Sequence, residues 1–116
     1  KNGWCPKKSD QDSWLQVTFG DLQTIYAIET LGSVDYDEYV KMYRISYSSD
    51  GSEWNWFNAD GETHTFTGNV DRLLAVRNYF EPPVEAGWLK IHPIECHDYC
   101  SMRWELYKCL NLGTSG

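Results

Sequence analysis

What the chain lacks excludes several classes of protein at once. Its apolar runs are only a few residues long, far short of the roughly 20 that a membrane-spanning helix needs, so no such helix is expected. No stretch sustains apolar side chains at helical spacing, which leaves little reason to expect helices of any kind. Positive charge is scarce: ten Lys and Arg face seventeen Asp and Glu, a formal net charge of −7. Such a field repels phosphate backbones and anionic headgroups, so nucleic acid is excluded as a partner. There is no initiator Met and no charged-then-apolar leader before Lys1, and any signal peptide is expected upstream. Asn-x-Ser/Thr acceptors are missing as well.

Catalytic signatures are also absent. The chain has no nucleophile elbow, Gly-rich phosphate loop or Glu-paired zinc motif. His64, His92 and His97 fall on separate strands and turns, where isolated histidines are ordinarily surface or hydrogen-bonded residues. The segment Cys96-His97-Asp98-Tyr99-Cys100 gathers two thiols and an imidazole, but its spacing does not match paired structural zinc knuckles. No catalysis, metal or cofactor is expected. Gly20 and Gly32 need no ligand either, since a tight turn accounts for each.

What is present suits one small secreted domain. The 116 residues are 41% hydrophobic and 16% aromatic, with six Trp and eight Tyr, enough apolar surface for a single core. Four cysteines, Cys5, Cys96, Cys100 and Cys109, in so short and turn-rich a chain favour disulfides and an oxidising compartment. The chain reads as secreted, or as the extracellular part of a membrane-anchored protein. Strand signals recur between Gly, Pro, Asp and Asn clusters. Leu15, Val17 and Phe19 alternate onto one face before Gly20-Asp21 breaks the run. Tyr39 to Ser48 places Tyr43, Ile45 and Tyr47 on one face and Val40 and Met42 on the other. The turn residues Ser49-Asp50-Gly51-Ser52 then lead towards Trp54. Further strands are expected at Thr24 to Thr30, Thr63 to Thr67, Arg72 to Arg77, Trp88 to His92 and Met102 to Lys108. About eight short strands without helices predict an all-β sandwich or barrel. Glu81-Pro82-Pro83 marks a connection, because prolines donate nothing to a strand ladder. The acidic stretch Asp35 to Glu38 is expected as a solvent-facing loop.

Several segments, taken in order, resemble the discoidin family, also called the coagulation factor V/VIII type C domain. Trp4-Cys5-Pro6 and Trp14-Leu15-Gln16-Val17 with Gly20 look like its entry. Tyr39-Val40-Lys41, Tyr43, Ile45 and Tyr47-Ser48-Ser49-Asp50-Gly51 with Trp54 look like its middle. Phe66-Thr67-Gly68-Asn69 with Asp71, then Asn78, Phe80, Pro82-Pro83, Ala86, Leu89, Ile91 and Pro93, are similar to its later half. Met102-Arg103-Trp104-Glu105-Leu106, ending at Cys109, looks like its closing strand. Thr18 and Gly87 depart from the usual Asp and Arg of the family.

The resemblance implies a jelly-roll-like antiparallel β-sandwich over residues 1–109, lacking its first strand or strands, with residues 110–116 as a tail or linker. It implies a non-catalytic adhesion or recognition module beside other modules of a larger chain. Its partner would be a cell-surface or matrix glycan or protein. An accessory domain that delivers an extracellular enzyme to its substrate is the competing reading. The resemblance implies a disulfide from Cys5 to Cys100 or Cys96, with Cys100 taken as the partner, and leaves Cys109 without one. It places Trp14, Trp54, Trp88 and Trp104 at packing positions and leaves Trp56 open.

Ligands of the family meet loops at one end of the sandwich, here Lys7 to Ser13, Ser33 to Glu38 and Glu95 to Tyr99. The candidate contacts are Ser9, Asp10, Ser33, Val34, Asp35, Tyr36, Asp37, His97 and Arg103. Membrane insertion needs apolar tips above basic residues. Val34 and Tyr36 instead stand among Asp35, Asp37 and Glu38, so phosphatidylserine is disfavoured, and carboxylates with a tyrosine suit polar contacts to a glycan or protein.

Overall fold

The computed structural model describes residues 14–109. These residues form eight strands: β1 (Leu15–Leu31), β2 (Tyr39–Ser48), β3 (Asn55–Trp56), β4 (Asn58–Ala59), β5 (Glu62–Thr63), β6 (Phe66–Thr67), β7 (Val76–His97) and β8 (Arg103–Lys108). One antiparallel sheet runs in the order β3-β2-β7-β1-β8, with β6 also on β2 and β4-β5 as a separate hairpin. Two long strands turn this sheet into a sandwich. The later part of β1 and the early part of β7 pair with each other and carry β8 as a neighbour of β1. The early part of β1 and the late part of β7 pair again, and here β2 lies beside β7.

The passage between layers occurs where the ladder slips. Phe19 to Leu22 on β1 stand against Gly87 alone, and Phe80 to Pro83 on β7 stand against Tyr26 alone. Extra residues on one strand bend it and release it from pairing. Gly20, at φ 90°, takes the left-handed conformation within the first slip, so the expected break after Phe19 is a bulge inside one strand. The prolines are handled the same way. They lie within β7, contrary to the expected connection, but in the unpaired stretch where no ladder donor is required. The strand expected at Arg72 to Arg77 begins only at Val76, because the preceding residues form a loop.

β2 has the bounds its alternation predicts. Val40 and Tyr43 are both fully buried, three residues apart, because the pairing with β7 shifts around Met42 and leaves that side chain outside. Between the layers, Ile25, Ile28, Val40, Tyr43, Ile45, Phe66, Phe80, Leu89 and Ile91 form one contiguous core. Its centre is aromatic: Tyr43 stacks on Phe66 at 5.2 Å, and Phe57 and Phe80 meet Phe66 at 5.5 and 5.6 Å. Each such ring pair contributes about 0.5–1.5 kcal/mol beyond its area. Burial pushes the Tyr43 phenol above its ordinary pKa, and its oxygen accepts from Asn78 Nδ2 at 3.1 Å.

The tryptophans divide. Trp104 packs against the core and Trp88 lies half-buried over Gly51. Trp14 is 48% exposed, a correction to its expected packing role. Its ring lies 4.5 Å from the Lys90 ammonium, which also sits 4.0 Å over Trp54.

Candidate functional site

Three loops converge at the end of the sandwich where β1 finishes and β2 begins. Each is shaped by its own sequence. In the first, residues 32–38, Ser33 Oγ accepts from the backbone N–H groups of Asp35 and Tyr36 at 3.2 and 3.1 Å, while Ser33 N–H donates to the Glu38 carbonyl at 2.8 Å. In the second, residues 68–75, Asp71 Oδ1 accepts from Leu73 and Leu74 N–H, both at 2.9 Å. These are the local side-chain turns that Ser and Asp favour. Asn69, almost fully buried, anchors that loop: its Nδ2 donates to the carbonyls of Thr30 and Leu74, and its Oδ1 accepts from Thr30 Oγ1. The third loop, residues 97–102, is closed by a Cys96–Cys100 disulfide, with Asp98 in the left-handed conformation.

Long-range contacts then tie the three together. Arg72 Nη1 donates to the Val34 carbonyl at 2.7 Å. Arg103 Nε donates to the Gly32 carbonyl at 2.8 Å, and its Nη2 to the Arg72 carbonyl at 3.3 Å. His97 Nε2 meets Asp37 Oδ2 at 3.1 Å, and its ring stacks on Tyr39 at 5.0 Å. Ser101 Oγ donates to Glu38 Oε1 at 2.8 Å. Gly32 is required for closeness rather than for a turn: a Cβ there would lie 2.6 Å from the Glu38 carbonyl oxygen and 2.7 Å from Arg72 Cα.

The predicted residues therefore take different roles. Val34 and Tyr36 are exposed, at 61% and 66%, on the loop expected to face solvent. Asp35 is exposed beside them. The Ser33 hydroxyl is spent on shaping the loop, and Asp37 is held by His97. Arg103 turns its guanidinium inward, where Nε and Nη2 donate to two backbone carbonyls and brace the loops. The disulfide is a correction, since Cys100 is bonded to Cys96 and not to Cys5, while Cys109 is a free thiol. The same bond consumes both thiols of the segment weighed for zinc. Ser9, Asp10 and Cys5, with the whole loop from Lys7 to Ser13, lie outside the described residues.

Val70, Leu73 and Leu74 went unrecognised in the sequence. They are 69%, 66% and 63% exposed on the loop that Arg72 ties to Val34. The signal was present as apolar residues flanking Asp71, but a strand reading of Arg72 to Arg77 hid it. The assembled end presents Val34, Tyr36, Val70, Leu73 and Leu74 together. Around them stand the carboxylates of Asp35, Asp37, Glu38, Asp71 and Asp98, while Arg72 and Arg103 spend donors on backbone carbonyls. Among the described residues no three metal-ligating side chains converge.

Comparison with known proteins agrees with this architecture. The F5/8 type C domain model matches residues 1–106. The EGF-like repeat and discoidin I-like domain-containing protein 3 of Mus musculus is 32% identical over 98% of this chain, which spans 25% of that protein's length. Neurexin-4 of Drosophila melanogaster is 37% identical over 91% of the chain, which spans 8% of it. The solved structure of discoidin II from Dictyostelium discoideum superposes with a TM-score of 0.88 at 28% identity, covering 98% of this chain and 44% of that one. With a disulfide, an all-β sandwich and relatives of this kind, the chain belongs to the F5/8 type C, or discoidin, family of extracellular binding modules.

Proposed function

We propose that the chain recognises a protein partner at the cell surface or in the matrix, and that it does so through the three-loop end. The observation that carries this reading is the cluster of Val34, Tyr36, Val70, Leu73 and Leu74, held in water on loops that are themselves tied down. Exposed apolar groups grouped in this way mark contact sites, and a rigid scaffold lowers the ordering cost of binding. A glycan, rich in hydroxyls, gains little from the four aliphatic tips, Val34, Val70, Leu73 and Leu74. A protein with an apolar recess and basic rim complements both the tips and the surrounding carboxylates.

The same tips favour one second reading, shallow insertion into a bilayer. The carboxylates oppose it on an anionic surface, where each basic residue would gain about 1 kcal/mol and each acidic one loses a comparable amount. The deciding experiment compares binding of the domain to immobilised matrix proteins with co-sedimentation on phosphatidylserine liposomes. The expected result is saturable protein binding that Leu73→Ser with Leu74→Ser weakens at least about tenfold. Liposome binding lost in the same double variant, with no protein bound, would overturn the protein reading in favour of the membrane.

A further inference from the structure

A cleft lies far from the three loops. β2 runs from the loop end at Tyr39 to Tyr47, which separates the cleft from that end by about 26 Å at strand rise. Its volume is about 350 Å³, and Tyr47, Trp56, Asn58, Pro82, Pro83 and Glu85 line it. That volume suits a small ligand. The unpaired proline stretch of β7 forms one wall, so the slip that carries the strand between layers also opens the cleft.

Trp56 is its dominant surface. Its indole remains 44% exposed although β3 is paired to β2. His92 packs against it at 4.5 Å, and His92 is itself fixed by a 2.8 Å hydrogen bond between its Nε2 and Ser46 Oγ. The ring is therefore held in place while leaving apolar area in water, a combination that core packing does not require.

The remaining lining decides the class of ligand. Asn58 offers an amide with both donors and an acceptor, Glu85 offers acceptors, and the Tyr47 hydroxyl is either. Among the described residues no Lys or Arg lines the cleft, so an anionic group would meet the Glu85 carboxylate with none of these to offset it. A neutral pyranose fits this set. Its C–H face packs on an indole, and its hydroxyls act at once as donors and acceptors. We propose that the cleft is a second binding site, for a neutral pyranose unit of a glycan, independent of the loop end.

The test is an NMR titration of the isotope-labelled chain with lactose, N,N′-diacetylchitobiose and cellobiose, and with sialic acid as the anionic control. At least one neutral disaccharide is expected to shift the Trp56 indole N–H, identified by its loss in Trp56→Ala. That variant should weaken binding about tenfold and Asn58→Ala severalfold. Both side chains are exposed, and unchanged far-ultraviolet circular dichroism checks the fold. Leu73→Ser with Leu74→Ser should leave the titration unchanged, which separates this site from the loop-end reading. The proposal is overturned if no neutral disaccharide moves the Trp56 signal at millimolar concentration. Sialic acid moving it equally, or the shifts mapping to residues 33–38 and 69–75, would overturn it too.

Discussion

At the loop end the chain leaves its sheets for long excursions and fastens them with side chains from distant sequence. Arg103 reaches Gly32 across 71 positions, and Asn69 reaches Thr30 across 39. At the far end the turn after β2 is closed by neighbours. Ser48 Oγ accepts from Asp50 and Gly51 N–H, and Asp50 Oδ1 accepts from Ser52 and Glu53 N–H. These bonds hold the Asp50 carboxyl below its ordinary pKa, those from Glu53 and Ser52 first. A locally closed turn forms almost regardless of what surrounds it. A loop held by remote partners exists only once the sheets have paired, and its apolar tips stay apart from the core only because those partners hold the backbone.

The largest expected contrast comes from removing the principal anchor of each end. Asn69→Ala strands the Thr30 hydroxyl and the carbonyls of Thr30 and Leu74, and should cost about 2–4 kcal/mol in urea unfolding at 1–3 kcal/mol for an orphaned buried group. Asp50→Ala, in an exposed turn, should cost clearly less than that. Equal losses would dissolve the distinction between the ends.

Glycines sharpen it next. Gly32→Ala meets fixed backbone on two sides and should cost about 1–3 kcal/mol through overpacking. Gly51, at φ 83°, stands over the Trp88 ring with 3.1 Å available to a Cβ. Gly51→Ala should cost about 1–2 kcal/mol, mostly from the left-handed conformation. Thermal melts of the two variants give the comparison directly.

A pH effect belongs to the region beside the cleft. Burial, with the Lys90 charge second, pushes His92 down to about 4 from 6.5. Between those two values the unfolded chain binds a proton that the folded chain does not, so stability falls as pH drops through that window. His92→Gln should remove this component, and the difference between its urea midpoint and that of the wild type should shrink as the pH is lowered from 6.5. A constant difference would refute the assignment. Smallest of all, Asp37→Asn removes an exposed pair with His97 and should change stability by less than about 1 kcal/mol. Double-mutant cycles with His97→Gln measure it.

Residues 39–48 show what was legible beforehand. Alternation and the Ser-Asp-Gly turn predicted the strand with its observed bounds, because each signal depends on neighbours along the chain. The acidic loop from Asp35 to Glu38 was legible for the same reason, since its polarity keeps it in water whatever lies beside it. Recurring strand signals and cysteine usage likewise pointed to an all-β, extracellular chain.

What only the tertiary structure decided is which remote residues meet. Strand pairing brings loop 68–75 beside loop 32–38, so that Leu73 and Leu74 join Val34, and it turns Arg103 inward onto the Gly32 carbonyl. It carries Pro82 and Pro83 through a long strand by leaving them unpaired. Periodicity records which way a side chain faces within its own strand. The register between strands, set by burying both layers at once, determines what it faces.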